Sequence, residues 1–231
     1  MKRYLHILLF LFVASGFGSC FSETLYIFFP STVRPRILQQ KFSDANPKIQ
    51  VIVFGRFVDF RDKMASNPPD AVLSLPIVVE TLDSYTIKFK GKKNGEESEP
   101  YYLLSVDRNI DIAKANEITI GAVDFLGRKG MKEFVSSMFS SPPAIKTVTK
   151  IEDLLPLITF EMANAILVTE TQAAYFQSVS NLNFVKTRIP NIQSGAISLA
   201  MRTGKEAPDI VLTLKTLDKD LLKLMGNVQW N

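Results

Sequence analysis

The chain has 231 residues, 46% of them hydrophobic and 22% charged, with 17 Phe, 11 Gly, 12 Pro, one Cys and one His. That much apolar material excludes a disordered chain, the Gly, Pro and Cys counts exclude collagen-like and disulfide-scaffold classes, and one His with one Cys cannot supply a four-ligand His/Cys metal site. The formal charge is +4, and loss of residues 1–22 would leave 25 basic against 23 acidic groups, a balance that argues against an electrostatic nucleic-acid binder.

The N-terminus reads as a secretory signal peptide over residues 1–22. Lys2 and Arg3 form a basic start, Leu5 to Val13 is apolar apart from His6, and Ala14 to Ser22 is rich in small residues. The apolar run is too short for a membrane span of about 20 residues. Phe17-Gly18-Ser19-Cys20 resembles a bacterial lipobox, which would place a lipid on Cys20, although its first position departs from the usual Leu. Ordinary cleavage near Ser22 is the rival. Either outcome implies export to the periplasm, with contact to the membrane only through a lipid anchor.

The body alternates strand and helix signals. Thr24 to Phe29 is a β-rich run closed by Pro30, and Ser31 and Thr32 stand where a helix N-cap belongs. Val33 to Phe42 follows as a helix with Val33, Ile37, Leu38 and Phe42 on one side. Ile49 to Phe54 is a strand, Phe57 to Ala65 a short helix, and Ala71 to Leu75 a third strand ended by Pro76. This spacing indicates βαβ crossovers and a mainly parallel sheet. Tyr85 to Lys90 and Tyr101 to Val106 read as a hairpin around the Gly91 to Gly95 turn, with Lys88 to Lys93 at a solvated tip. Alternation then resumes with strands at Ile118 to Val123, Ile145 to Val148, Ala165 to Val168 and Phe184 to Lys186. Helices are expected at Lys129 to Phe139, Ile151 to Phe160 and Glu170 to Ser178. Ala196 to Met201 is an apolar strand, and Ala207 to Met225 reads as one long amphipathic helix stopped by Gly226.

Two βα blocks with turn-marked passages between them predict two lobes. Residues 23–104 with 192–231 would form one lobe and residues 105–191 the other. The chain would cross at Tyr101 to Asp107 and return at Lys186 to Ala196. Ligands of open α/β sheets bind beyond the carboxyl ends of the strands, which two facing sheets would place around one cleft.

Four stretches carry a resemblance: Tyr26 to Ser31, Pro69 to Ser74, Ile118 to Asp124 and Gly195 to Ala200. In this order, behind a signal peptide, they resemble the type 2 periplasmic solute-binding proteins, specifically the phosphate/phosphonate-type substrate-binding branch of ABC transporters. The resemblance covers most of Thr24 to Gly226. It implies a two-lobed α/β fold, each lobe a mainly parallel sheet flanked by helices, a hinge of two crossing segments, and a small ligand clamped between the lobes.

Candidate ligand contacts follow from strand exits. Ser31 and Thr32 could hold an anion with hydroxyls and free N–H groups, or simply cap a helix. Members of the resembled family usually place a Ser/Thr-rich loop after the strand matching Ile118 to Val123. Here that loop runs Asp124 to Gly130 and lacks hydroxyls; Gly127 allows close approach and Arg128 or Lys129 supplies charge, or else both face water, while Asp124 would oppose an anion. Thr169 and Glu170 follow another strand and are either cleft contacts or a cap with an acidic first turn. Ser74 and Phe57 sit at exits of the first lobe and are candidates for its wall, Phe57 otherwise being core.

Catalysis finds no support in the residues. A Ser–His–Asp triad or a Cys–His pair would need His6, inside the expected signal, and neither a Walker A nor a dinucleotide fingerprint is present. Asp70, Asp124 and Glu170 are carboxylates within reach of a cleft, but nothing selects two of them for acid–base work. The expectation is a monomeric, non-enzymatic, cofactor-free binding protein. It would capture a small polar or anionic ligand, phosphate- or phosphonate-like, and deliver it to an ABC permease. A ligand-sensing or interaction module of the same fold, acting with a membrane receptor, is the alternative.

Overall fold

The computed structural model describes residues 23–230. The expected signal peptide and Cys20 lie outside the described residues. Among the described residues no helix is long and apolar enough to cross a membrane.

The first βαβαβ block runs β1 (Glu23–Phe28), α1 (Pro35–Ala45), β2 (Ile49–Phe54), α2 (Phe57–Ser66) and β3 (Ala71–Ser74). A one-turn helix α3 (Pro76–Val79) and β4 (Tyr85–Phe89) follow. Then come β5 (Gly91–Lys93) and β6 (Ser98–Val106), and a 3-10 helix at Ile112–Glu117. The second block runs β7 (Thr119–Val123), α4 (Gly127–Ser136), β8 (Ala144–Val148), α5 (Leu154–Thr159), β9 (Ala165–Thr169) and α6 (Glu170–Val179). The chain closes with β10 (Phe184–Gly195), β11 (Ser198–Arg202), α7 (Pro208–Lys215), α8 (Lys219–Leu224) and β12 (Val228–Trp230).

Two five-stranded sheets result, in the orders β2-β1-β3-β11-β4 and β10-β6-β9-β7-β8. Read from its far edge, the second sheet repeats the plan of the first. Three parallel strands come from the βαβαβ block, in the order second-first-third, and two further strands, added by antiparallel pairing, complete the sheet. The sheets are therefore mixed, with four strands of each running one way and one strand, β11 or β6, running against them. The antiparallel pairings are made by strands that arrive from outside each βαβ block, and such strands need no crossover helix to pair.

Both faces of each sheet are covered, as sheets with helical crossovers require. In β1 the alternation is direct: Leu25 and Ile27 pack under α1, α7 and α8, while Tyr26 and Phe28 point to the opposite core. That second core is shared between the sheets. It holds Phe28, Phe60 and Val72 from the first lobe beside Leu103, Ile120 and Met131 from the second. A third cluster, built on Ile166, Val168, Leu154 and Phe176, fills the far side of the second sheet.

Several expected features are corrected. Tyr85 to Lys90 and Tyr101 to Val106 do not pair as a hairpin. β4 joins the edge of the first sheet and β6 sits inside the second. The tight turn is real, with Asn94 and Gly95 both left-handed (φ 52° and 87°) and Lys93 bonded to Glu96 in both directions. Turn chemistry is local, but each flanking strand finds a longer pairing elsewhere. Lys88 and Lys90 do face solvent, but Gly91 to Lys93 is no hairpin tip, because β5 pairs with β12 in the register Gly91 to Trp230.

β6 bonds to β9 and β10, so the first crossing precedes Ser98 and the return falls at Gly195 to Ile197. The two crossing segments touch through Ala196 N, which donates to the Glu97 carbonyl at 2.8 Å. The long final helix is two helices. Asp218 caps the second by accepting from Leu221 N at 2.6 Å, and the apolar series Leu214, Leu217, Leu221 and Met225 runs through the break into one core. Pro76 follows the end of β3, as expected, and also begins a helical turn, since a first-turn proline forfeits no hydrogen bond.

Candidate functional site

The carboxyl ends of β1, β3, β7 and β9 converge on one cavity of about 710 Å³ lined from both lobes. The first lobe contributes the loop after β1 (Phe29 to Val33) and Leu75. The second contributes Ala122, Phe125, Leu167 and the first turn of α6, and the crossing segments contribute Lys93 and Ser194 to Ile197. α8 and the approach to β12 close one side through Lys223 to Met225 and Val228. The lining is predominantly apolar, as ligand pockets generally are, with few polar groups to fix orientation. A smaller cavity of about 330 Å³ adjoins it behind the β1 loop, reaching Arg56, Asp124 and Lys150.

Ser31, Thr32 and Thr169 line the larger cavity. Ser31 is not the α1 cap. α1 starts at Pro35, with Arg34 as N-cap and no side-chain cap bond. A proline preset for the first helical position starts the helix there, beyond both hydroxyl residues. Ser31 Oγ instead accepts from Val33 N at 3.0 Å, a serine turn that shapes the loop. Thr169 is buried and forms a capping box with Gln172 at the start of α6.

The other five candidates do not line this cavity. Ser74 is fully buried in β3 and its hydroxyl donates to the Phe28 carbonyl, so it serves the pairing of β1 with β3. Phe57 packs among Phe28 and Phe60 in the shared core. Gly127 holds φ +76° with Phe57 directly against it, leaving 3.0 Å between a Cβ placed there and the Phe57 ring. The pair is a contact between lobes. Asp124 Oδ1 accepts from Gly127 N at 2.6 Å, so its charge is turned to shaping the loop. Arg128 is exposed to solvent, the ordinary place for a long cation. Glu170 is drawn to Lys186 Nζ, which donates to it at 2.6 Å. The Lys186 and Tyr102 hydrogen bonds lower the Glu170 pKa, with burial opposing.

The polar groups that do meet the cavity were not legible as a set. Lys93 on β5 lies 3.7 Å from Glu99 on β6. Thr171 on α6 donates to Glu99 Oε2 through its N–H at 3.1 Å and its hydroxyl at 2.7 Å. Lys93 Nζ also donates to the Thr171 hydroxyl. Tyr101, beside Glu99, has its phenol pushed up to about 12, first by burial, with the Ser194 hydrogen bond opposing and the Glu99 charge adding. No cluster of His, Cys, Asp and Glu suited to a metal ion occurs among the described residues.

No protein-family model matches the sequence, and no curated protein matches it. Solved structures do resemble it. The Bordetella pertussis BvgS periplasmic VFT2 domain aligns at TM-score 0.56 and 11% identity, covering 89% of this chain and 92% of that one. The GluR0 ligand binding core in complex with L-glutamate aligns at TM-score 0.59 and 10% identity, covering 91% and 99%. An arginine transport-system periplasmic binding protein from Legionella pneumophila aligns at TM-score 0.53 and 14% identity, covering 89% and 90%. The chain has the two-lobed fold of type 2 periplasmic binding proteins. None of these three is named for phosphate or phosphonate.

Proposed function

We propose that the chain is an exported, non-catalytic solute-binding protein that closes its lobes on one small organic molecule and presents it to an ABC-type membrane permease. The observation carrying this reading is the 710 Å³ cavity walled by both lobes and by the crossing segments. A ligand touching all three favours the closed arrangement by its differential contacts, which is population shift. Export rests on the basic, apolar and small-residue order of residues 1–22, and the periplasm is the compartment it implies. The phosphate or phosphonate expected from the family resemblance suits this cavity poorly. A compact oxyanion needs a ring of donors, and most of the wall offers carbon.

A second reading, a sensor domain acting with a membrane receptor, has one feature in its favour. β12 pairs with the first crossing segment, and Trp230 Nε1 donates to the Ile197 carbonyl of the second at 3.0 Å. Lobe movement would therefore reach the C-terminal strand.

The test is a melting screen of the purified protein against small organic metabolites, with small-angle X-ray scattering on every hit. A ligand at 100 times its dissociation constant should stabilise by about 2.7 kcal/mol, and the scattering radius should contract. Hits that leave the radius unchanged contradict clamping. Turnover of any hit contradicts the non-catalytic reading.

A further inference from the structure

The first turn of a helix after a strand offers free N–H groups, the usual seat for an oxyanion. In α6 that seat is taken. Thr171 N and Thr171 Oγ1 both donate to Glu99 Oε2, and Gln172 N is held by Thr169 Oγ1 at 3.4 Å. The Glu99 carboxylate reaches α6 from β6, and Lys93 flanks it from β5. Glu99, Lys93, Thr171 and Gln172 all line the cavity. The side chains of Lys93 and Glu99 are 22% and 25% exposed, so the pair stands partly shielded from water at the cavity wall. Elsewhere the charges on the lining are of mixed sign, Lys41 and Lys223 against Asp220.

We propose that Glu99 is a tethered anion that permanently fills the oxyanion position of the cleft, so that the cavity selects uncharged, largely apolar organic ligands and rejects carboxylates and phosphate. The proposal rests on the cavity being a ligand site, as proposed above. It follows from charge and donor supply together. The α6 donors an incoming anion would need are already taken by Glu99 and the capping threonine, and the Glu99 charge repels a second anion at that seat. A neutral amide or alcohol meets no such repulsion; it can donate to Glu99 and accept from Lys93 while its body lies against Phe29, Leu75, Phe125 and Leu167.

Matched pairs of probes separate charge from shape: benzamide and benzoate, phenylacetamide and phenylacetate, hexanamide and hexanoate, with inorganic phosphate alongside, all at constant ionic strength. Calorimetry on the wild type should show each bound amide favoured over its acid by about tenfold or more, and no phosphate binding. Glu99→Gln keeps the side-chain shape and removes the charge, leaving Lys93 unneutralised. It should shift the acid-to-amide ratio toward the acid by about tenfold. A wild type that prefers acids, or binds phosphate, overturns the proposal without any variant. So does a folded Glu99→Gln protein with an unchanged ratio. In both cases probe binding itself leaves the cavity reading standing. If no probe binds either protein, the proposal and the cavity reading fall together.

Discussion

Gly91 lies where the two crossing segments approach closely. A Cβ placed on Gly91 would stand 2.0 Å from the Ile197 carbonyl oxygen and 2.7 Å from Val228 Cγ1. A carbon–oxygen contact normally settles near about 3.3 Å, so Gly91→Ala forces the segments apart by about 1 Å or more. That movement strains the bond from Gly91 N to Ser198 Oγ, 3.1 Å long, and the bond from Trp230 Nε1 to the Ile197 carbonyl. Two weakened hydrogen bonds and an overpacked contact together cost about 3 to 5 kcal/mol. Urea unfolding of wild type and variant, compared at equal slope, measures it. A loss below about 1 kcal/mol would refute the reasoning, because the segments would then have room to separate freely.

Two further perturbations test other joints of the fold. Glu23, buried at the start of β1, accepts from Asp209 N at 3.1 Å and Ile210 N at 2.8 Å in the first turn of α7. Glu23→Ala strips both bonds and should cost about 2 to 4 kcal/mol in the same unfolding assay. Tyr101 is held neutral up to about pH 12 by the fold against an ordinary 10.0. Its contribution is complete below pH 10 and lost as the pH rises toward 12. Tyr101 should therefore contribute about 3 kcal/mol to the loss across that window, beside the loss from Tyr85, whose phenol burial likewise pushes up to about 12, and Tyr101→Phe should remove the Tyr101 share. An equal pH slope in the variant would show that the phenol is not responsible.

The parts of the fold legible in the sequence are those governed by local periodicity. Ile49 to Phe54 matches β2 residue for residue, and the βα order of the first block follows from turn signals at Pro30, Gly55 and Pro76. Partner choice was less legible. β4 and β6 flank a true two-residue turn yet belong to different sheets, and no local signal records that. The final helix looked continuous because its apolar stripe crosses the break at Asp218 unbroken.

The site shows the same division. Ser31, Thr32 and Thr169 fall on the cavity wall because strand exits face the cleft in open α/β sheets. Lys93, Glu99 and Thr171 were missed because Thr171 is separated by 72 residues from Glu99 and by 78 from Lys93. Lys93 also closes a basic run that reads as solvated. One signal was present. Glu99 lies two residues before the buried Tyr101 in β6, on the same face of the strand, and a charged residue so placed asks for a partner.

The most direct test is native mass spectrometry of the protein after incubation with a small-molecule extract, comparing wild type with Thr32→Trp. Thr32 is exposed and borders both cavities, so an indole there fills the mouth at little cost to the core. Wild type should retain one small organic molecule per chain, and the variant should lose it. Retention by both proteins alike, or by neither, would contradict a ligand held between the lobes.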